Sequence, residues 1–463
     1  MTQNISPSIF KAYDIRGVVD DTLTVEAVRA IGLALGRSAR AAGASETVIG
    51  RDGRLSGPDL SKALSEGFRD AGIDVIDIGM VPTPVVYYAT FELGTGTGVA
   101  VTGSHNPPDY NGLKMVVAGE AIYGDAILAL RDAIASGELR PVPAGQRGSH
   151  RIEDVDQRYL DRITGDVKLA RPMKVAVDCG NGVAGALAPR LFRALGCEVT
   201  ELFCDIDGTF PNHHPDPAHP ENLQDLIRCL RETDAEIGLA FDGDGDRLGV
   251  VTKSGAIIYP DRQLMLFAQD TLSREPGAEI IYDVKCTRNL ARWIREHGGR
   301  PTMWRTGHSL IKAKLKETGA PLAGEMSGHV FFKERWYGFD DGLYTGARLL
   351  EILSRHEDPG AVLEALPDSP TTPELHLKTA EGENFELVEA LKREAKFDGA
   401  SEIITIDGVR VEYPDGFGLA RPSNTTPVVV IRFEADTDEA LARIQADFRK
   451  AIEAVKPGVE LPF

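Results

Sequence analysis

Hydrophobic and polar positions along the first hundred residues alternate between helical stripes and short apolar runs. Helical periodicity extends from Val25 to Ala42, where apolar residues recur at every third or fourth position. Further helices are predicted at 58–69 and 84–93, and strands at 47–49, 75–78 and 98–101. This β-α-β-α-β order predicts a largely parallel sheet with right-handed crossovers.

The same order returns twice before the pattern changes. Strands are predicted at 174–177, 198–202 and 237–241, and then at 280–282 and 301–304, with helices between them. The polar stretch 137–148 contains proline and glycine, which places the first domain boundary near residue 150. The last hundred residues instead show hairpin-spaced strands and a closing helix over 437–455, which is typical of a smaller α+β domain.

The pattern therefore predicts an α/β fold of three similar mixed-sheet domains plus a smaller C-terminal α+β domain. The predicted bounds are 1–150, 151–255, 256–368 and 369–463. Ser104, Asp242 and Glu325 each follow a predicted strand or apolar run. Because open α/β sheets bind ligands at the carboxyl ends of their strands, these three positions become candidates for one site.

Composition narrows the classes of partner. The formal charge of −19 disfavours nucleic acid and anionic membranes, so a local cluster of cationic groups must hold any anionic ligand. Five cysteines without a Cys-x-x-Cys pair indicate neither a disulfide framework nor a thiolate zinc site. The stretch Met1–Ser6 lacks the pattern of a signal peptide, and no apolar run reaches membrane-spanning length. We expect a cytoplasmic protein.

The segment 242–247, Asp-Gly-Asp-Gly-Asp-Arg, is the most specific in the chain. Three carboxylates at alternate positions share one side of an extended backbone, and their like charges favour a bound cation. Oxygen ligands suit Mg²⁺, Mn²⁺ or Ca²⁺ rather than zinc. A calcium EF-hand is rejected, because Arg247 and Lys253 stand where that loop needs glycine and glutamate. A solvated acidic turn is the remaining structural alternative.

Ser104 lies in Thr-Gly-Ser-His-Asn-Pro, between Gly103 and His105. Considered alone, this segment is first of all a turn, because glycine and proline set unusual backbone angles. Read together with the aspartate segment, however, the serine becomes a candidate carrier of a phosphoryl group. A metal beside a phosphoserine would neutralise the phosphate oxygens during in-line attack.

Two further segments carry ligand-binding chemistry. Glu325 and Ser327 stand two positions apart between glycines, a spacing that suits recognition of adjacent sugar hydroxyls. The stretch 421–427 joins Arg421 to small hydroxyl and amide side chains, a composition that suits a phosphate dianion. In isolation, each segment is equally compatible with a polar turn or a hairpin loop. The glycine-rich stretch 180–185 fits G-x-G-x-x-G, but we interpret it as a structural turn rather than a dinucleotide site.

These segments together resemble the α-D-phosphohexomutase family, in particular its bacterial phosphomannomutase/phosphoglucomutase branch. The resemblance covers essentially the whole chain in four ordered segments: 102–107, 242–247, 324–329 and 421–425. It implies four domains around a central cleft. Many members carry alanine where Gly103 stands, so extra flexibility is expected beside the serine. Met326 resembles the mannose/glucose branch rather than glucosamine-specific members.

The resemblance also implies roles for individual residues. Ser104 would be the phosphoserine, and Glu325 and Ser327 would bind the 3- and 4-hydroxyls of the sugar. The implied ligands of Mg²⁺ are Asp242, Asp244, Asp246 and Ser104. The residues implied to hold the non-reacting phosphate are Arg421, Ser423, Asn424 and Thr425. Further matching positions are Arg16, His105, Lys114, Arg247 and His308 as catalytic residues, and Tyr13, Lys285 and His329 as substrate-binding residues.

The implied activity is the reversible interconversion of hexose 1-phosphate and hexose 6-phosphate, for mannose and glucose. Phospho-Ser104 would give its phosphoryl group to the sugar, and a hexose 1,6-bisphosphate intermediate, also the activator, would return one. Lys114 and His308 are candidates for moving the hydroxyl proton. The expected partners are small phosphosugars from which nucleotide sugars and surface polysaccharides are made, and a monomer is favoured.

Other activities remain as alternatives. A metal-dependent sugar phosphatase could use Asp242 as its nucleophile, and Ser104 would then be dispensable. A sugar-phosphate binding protein would need no metal. The three ordered aspartates argue against this alternative. A serine hydrolase is disfavoured, because the segment lacks G-x-S-x-G and His105 is the direct neighbour of Ser104.

Overall fold

Four sheets organise the chain in the computed structural model, which describes residues 5–424 and 426–463. Met1–Asn4 and Thr425 therefore lie outside the described residues. Three sheets are mixed and carry helices, and the fourth is antiparallel. The predicted fold class of mixed α/β units with a smaller C-terminal unit is confirmed.

The first sheet has the order β1-β5-β4-β2-β3-β7, and β6 pairs with β5. Its strands are β1 (Ile15–Val18), β2 (Glu46–Arg51), β3 (Asp74–Met80), β4 (Gly98–Val101), β5 (Tyr110–Val117), β6 (Glu120–Ala121) and β7 (His150–Ile152). Its helices are α1 (Val25–Ala41), α2 (Gly57–Asp70), α3 (Thr83–Glu92) and α4 (Asp125–Ala135). The sheet is less parallel than predicted, because β5 runs antiparallel to both β1 and β4.

The first sheet also extends past residue 150. Strand β7 pairs in parallel with β3, so residues 150–152 complete the sheet from beyond the polar stretch 137–148. The sequence pattern missed this short strand because its three residues are exposed and carry no apolar alternation.

The second sheet has the order β12-β11-β10-β8-β9. Its strands are β8 (Lys174–Asp178), β9 (Glu198–Leu202), β10 (Ile237–Phe241), β11 (Leu248–Thr252) and β12 (Ile257–Ile258). The helices of this region are α5 (Asp156–Asp166), α6 (Ala188–Ala194) and α7 (Gln224–Glu232). The glycine turn 180–182 packs under the aspartate segment, where the Val183 N–H donates to the Gly243 carbonyl at 3.1 Å. This contact agrees with a structural turn.

The third sheet has the order β14-β13-β15-β16. Its strands are β13 (Glu279–Asp283), β14 (Arg300–Trp304), β15 (Leu322–Gly324) and β16 (Val330–Phe332). The helices of this region are α8 (Pro260–Arg274), α9 (Arg288–Glu296), α10 (His308–Thr318), α11 (Gly342–Leu353) and α12 (Pro359–Glu364).

The fourth sheet is antiparallel, with the order β17-β21-β20-β19-β18. Its strands are β17 (Leu375–Lys378), β18 (Glu402–Ile404), β19 (Val409–Tyr413), β20 (Gly416–Pro422) and β21 (Val428–Ala435), and its helices are α13 (Glu383–Glu394) and α14 (Asp438–Val455). An apolar core of its own lies between this sheet and the two helices. No helix among the described residues has the length and apolarity needed to cross a membrane.

One topological feature recurs in the first three sheets. A parallel-paired strand (β4, β10 or β15) is followed by an antiparallel neighbour (β5, β11 or β16). The three intervening loops carry Ser104, the aspartate segment and Glu325. The β20–β21 loop of the fourth sheet carries Ser423 and Asn424. Each predicted functional segment therefore lies at the end of a strand that the core fixes.

A shared apolar core holds the first three sheets together. It includes Tyr88 on α3, Tyr159 on α5, and Trp336 and Tyr344 from the third unit. The rings of Trp336 and Tyr344 stack with their centroids 4.2 Å apart. At this junction Asp341 caps α11 by accepting the Tyr344 N–H at 2.9 Å, and Tyr159 Oη donates to the same carboxylate at 2.9 Å.

We expect Asp341→Asn to weaken the pH dependence of stability. Burial raises the pKa of Asp341 from 3.8 to about 7. Because the folded state holds this proton more tightly than the unfolded state, its contribution falls as pH rises from about 4 to 7. Asn imitates the protonated acid, so the Tm of the variant relative to wild type should rise between pH 4.5 and pH 8 by several degrees, as a difference of about 1–4 kcal/mol implies. Asp358→Asn, at the exposed cap of α12, is the matched control. A pH-independent Tm difference for Asp341→Asn would contradict this expectation.

Candidate active site

Ser104 lies buried between the first and second units. Its φ of +50° is in the left-handed region, which non-glycine residues rarely adopt. The Ser104 N–H donates to Thr102 Oγ1 at 2.8 Å, which fixes this turn. Ser104 Oγ is 3.2 Å from Asp242 Oδ2 and 3.2 Å from His105 Nδ1. The predicted nucleophile and the first predicted metal ligand are therefore in contact across 138 residues of sequence.

The three aspartates of the segment converge. Asp242, Asp244 and Asp246 are fully buried, and one carboxylate oxygen from each lies within 4.8 Å of the others. The convergence does not come from the extended backbone that alternate spacing suggests, because Gly245 has φ of +76° and turns the loop. The turn brings the carboxylates to one point instead of leaving them along one face.

Lys114 and Thr83 bind the same carboxylates from the first unit. Lys114 Nζ is 2.8 Å from Asp244 Oδ2 and 2.5 Å from Asp246 Oδ2, and Thr83 Oγ1 donates to Asp244 Oδ2 at 2.5 Å. Although burial lowers the pKa of Lys114, the charges of Asp244 and Asp246 raise it above its usual value. One ammonium group therefore offsets part of the charge of three carboxylates.

The residues present fit a divalent cation. Burial, and then the charges of Asp246 and Asp244, raise the pKa of Asp242 well above its usual value, so its charged form lacks compensation here. Asp244 Oδ1 is buried and has no hydrogen-bond partner among the described residues. An all-oxygen donor set with an unsatisfied carboxylate oxygen suits a hard cation.

His329 joins the sugar-loop candidates to the aspartate segment. Its Nδ1 is 3.0 Å from Glu325 Oε2 and 3.1 Å from Ser327 Oγ, and its Nε2 is 3.3 Å from Asp246 Oδ1. Although burial lowers the pKa of His329, the charge of Asp246 raises it to about 9. The imidazolium thus lies between two carboxylates and orients both. Glu325 also accepts the Gly307 N–H at 2.5 Å.

His308 begins α10 directly after Gly307 and lies beside this cluster. Its ring centroid is 5.6 Å from that of His329. Burial lowers the pKa of His308 well below 6.5, and the charge of Lys312 lowers it further. The imidazole is therefore neutral at neutral pH and can accept a proton.

Asp340 is a buried acidic residue that the sequence analysis missed. Its Oδ2 lies 3.8 Å from His308 Nδ1, and its Oδ1 accepts Lys312 Nζ at 2.8 Å. One Asp340 oxygen also lies within 4.8 Å of ligand atoms of Asp246 and His329. The paired acids at 340–341 before a helix were the available signal, but such pairs are usually caps or surface charges.

The predicted phosphate-binding residues meet the N-terminal part of the chain. Asn424 Nδ2 donates to Tyr13 Oη, and Tyr13 Oη donates to the Thr306 carbonyl at 2.8 Å. Arg421 Nε is 3.0 Å from Asp407 Oδ2, and Lys285 Nζ is 2.5 Å from Glu374 Oε1. Both cationic side chains are therefore paired with carboxylates. Thr425 lies outside the described residues.

The remaining candidate residues lie near the Ser104 loop. Arg16 Nη1 donates to Asn106 Oδ1 at 2.5 Å, and its other terminal nitrogen pairs with Asp14. Arg247 Nε is 3.9 Å from Asp242 Oδ2. Burial lowers the pKa of His105 well below 6.5, and the charge of Arg247 lowers it further. Two cationic side chains therefore approach the Ser104 loop from opposite units.

Four family descriptions match the chain in order. They are the phosphoglucomutase/phosphomannomutase alpha/beta/alpha domains I, II and III and the C-terminal domain, and they cover residues 7–140, 157–255, 259–369 and 374–451. The chain belongs to the phosphoglucomutase/phosphomannomutase family. The resemblance inferred from the sequence is thus confirmed, whereas the domain bounds of the sequence analysis stay predictions.

Other members of this family are similar over nearly their whole length. The phosphomannomutase/phosphoglucomutase of Pseudomonas aeruginosa is 58% identical over 457 residues, which cover 98% of both chains. The phosphoglucomutase of Neisseria meningitidis is 58% identical over 452 residues, 97% of this chain and 98% of that relative. A crystal structure of a family protein from Burkholderia thailandensis is 66% identical, with a TM-score of 0.94 over 99% of this chain and 100% of that one. These matches support a mutase and give no support to the phosphatase alternative.

Proposed function

We propose that the chain is a hexose phosphate mutase, an isomerase, which works through phospho-Ser104. The observation that carries this proposal is the 3.2 Å contact between Ser104 Oγ and Asp242 Oδ2, beside two further converging carboxylates. Similarity to phosphoglucomutases and phosphomannomutases over nearly full length supports the same activity. Mannose and glucose 1-phosphates are the proposed substrates, and a hexose 1,6-bisphosphate is the proposed intermediate and activator.

Asp242, Asp244 and Asp246, with an oxygen of phospho-Ser104, would hold Mg²⁺. When bound, this ion supplies charge neutralisation at the phosphoryl oxygens. Lys114 keeps Asp244 and Asp246 in place through two charge-assisted hydrogen bonds. Arg247 and Arg16 approach the Ser104 loop and would bind the oxygens of the transferring group.

The substrate would be oriented by groups distant from the reacting phosphate. The carboxylate of Glu325 is fixed by Gly307 and His329 and would accept hydrogen bonds from two sugar hydroxyls, with Ser327 beside it. Arg421, Ser423, Asn424 and Lys285 would bind the non-reacting phosphate, with Tyr13 beside Asn424. Because each of the two phosphates must in turn be bound by these residues, the sugar hydroxyls determine the specificity for the hexose.

We expect His308→Gln to remove the acid limb of the pH–rate profile. Neutral His308 would accept the hydroxyl proton as the phosphoryl group transfers. Lys114, which is protonated, would donate a proton. Since the pKa of His308 is well below 6.5, kcat should fall only below that pH in the wild type. The variant should lose about 10²-fold in kcat and show a flat profile there. An acid limb that persists in His308→Gln would assign the base elsewhere.

The test of the function is ³¹P NMR of the purified protein. Mannose 1-phosphate and glucose 1-phosphate are supplied separately with Mg²⁺ and a trace of glucose 1,6-bisphosphate. Formation of the 6-phosphate without inorganic phosphate is the expected result. Release of inorganic phosphate instead would contradict the mutase and favour hydrolysis. A cytoplasmic, monomeric enzyme is proposed, and gel filtration of the same preparation tests the monomer.

A further inference from the structure

Arg54 lies buried beneath the Ser104 loop, three residues after β2 ends at Arg51. Its side chain is 0% exposed. Its Nη2 donates to the carbonyls of Ser104 at 2.8 Å and Asn106 at 2.6 Å, and its Nη1 to those of Pro107 at 2.5 Å and Tyr110 at 2.9 Å. Its Nε donates to Asp52 Oδ2 at 3.2 Å. All five N–H groups of the guanidinium are therefore used.

The loop depends on this arrangement for its shape. Four backbone carbonyls point into one buried volume, and each would cost free energy there without a donor. Ser104, at φ of +50°, needs surroundings that keep it in the left-handed region. A planar fork with five donors meets these needs at one point, which an ammonium group cannot do.

Gly103 and Phe210 both pack against the guanidinium. A Cβ at Gly103 would lie 2.4 Å from Arg54 Cζ, so the glycine lets the fork pack directly against the loop. On another side the ring of Phe210, from the second unit, lies with its centroid 5.2 Å from Arg54 Cζ. The Ser104 loop is thus held between its own sheet and the unit that carries the aspartates. Close packing, rather than the expected flexibility, is what Gly103 provides.

We propose that Arg54 is a positioning residue for phosphoryl transfer. Its guanidinium fixes the Ser104 carbonyl and the turn around it, so that Oγ stays beside Asp242 in both half-reactions. It does not touch the substrate or the reacting atoms. The inference rests on the proposed function of Ser104 and extends it to the residue that sets the geometry of the nucleophile.

Arg54→Lys is the first test. Lysine keeps the charge but has three donors on one nitrogen, so it cannot satisfy carbonyls on both sides of the fork. We expect kcat to fall by about 10²-fold, because displacement of a reacting group by about 1 Å costs that much. KM should change by less than about threefold, since Glu325 and Arg421 bind the sugar phosphate from other units.

Arg348→Lys is the matched control. Arg348, on α11, is also fully buried. Its Nη2 lies 3.3 Å from Asp270 Oδ2 and 3.1 Å from Glu334 Oε2. Its replacement should lower the Tm while kcat stays near the wild-type value. If Arg54→Lys loses only stability, as the control does, Arg54 has a merely structural role and the proposal is overturned.

Chemical rescue gives a second readout. In Arg54→Ala, guanidinium chloride at about 10 mM should restore kcat by at least about tenfold, because the ion can occupy the vacated site by mass action. Ammonium chloride at the same concentration should not. Equal effects of the two salts, or no rescue, would contradict the proposal. Should Arg54→Ala not fold, the comparison of Arg54→Lys with Arg348→Lys decides the proposal.

Hydrogen exchange separates the two proposals. If the wild-type protein shows no mutase activity, the proposed function fails, but amide exchange over 102–110 still tests Arg54. Faster exchange over this segment in Arg54→Lys than in Arg348→Lys supports the positioning role of Arg54. Unchanged exchange over this segment overturns it.

Discussion

Ser104→Ala is expected to lose mutase activity by at least about 10⁴-fold in kcat, because the variant has no oxygen to carry the phosphoryl group between the two half-reactions. The loss should appear for glucose and mannose substrates alike. Alanine tolerates φ of +50° about as poorly as serine, so the substitution adds little backbone strain. Folding, measured by circular dichroism and Tm, should stay close to wild type.

Ser136→Ala is the control for this substitution. Ser136 is exposed after α4 and donates to the Ala133 carbonyl at 2.8 Å. It should retain full activity. If Ser104→Ala retained activity within tenfold of wild type, the nucleophile would be another group, with Asp242 at 3.2 Å as the nearest candidate.

Asp244→Asn is expected to have the second largest effect, on the metal requirement. The substitution removes one of three convergent negative charges and leaves Lys114 to neutralise a smaller set. We expect the Mg²⁺ concentration for half-maximal activity to rise by about 10²-fold or more, and kcat at saturating Mg²⁺ to fall as well. Titration of Mg²⁺ into EDTA-treated, dialysed protein measures both quantities.

Asp234→Asn controls for the change of charge in the same unit. Asp234 is 72% exposed and pairs with Lys174 at the surface, so its loss should not change the Mg²⁺ titration. An unchanged titration in Asp244→Asn, or full activity of the wild type in excess EDTA, would contradict a metal site at the three aspartates.

Much of the site could be predicted because its segments are local in sequence. Ser104, the aspartates at 242–246 and Glu325 each follow a strand of a different sheet, and the carboxyl ends of strands are where open α/β sheets bind ligands. Alternate spacing predicted convergent carboxylates, although Gly245 and not an extended backbone brings them together. The resemblance to a family implied roles that spacing alone left open between turns and sites, and those roles stay predictions.

Contacts between units could not be predicted from sequence patterns. The bridge from Glu325 through His329 to Asp246 joins two sheets, and Asp340 lies beside His308 and Asp246 although it is distant from both in sequence. In the sequence nothing distinguishes Arg54 from other arginines in turns, because its contacts with the Ser104 loop form only in the folded chain. Antiparallel partners such as β5, β11 and β16 were also missed, because buried apolar runs carry no sign of strand direction.

The most direct test of the account is a single-turnover measurement. The protein is phosphorylated with ³²P-labelled glucose 1,6-bisphosphate, freed of ligand and mapped by peptide mass spectrometry, and then mixed with excess unlabelled glucose 1-phosphate and Mg²⁺. We expect label on Ser104 and its quantitative transfer to the sugar phosphates. Label on an aspartate, or its release as inorganic phosphate at the rate of turnover, would contradict phospho-Ser104 as the intermediate.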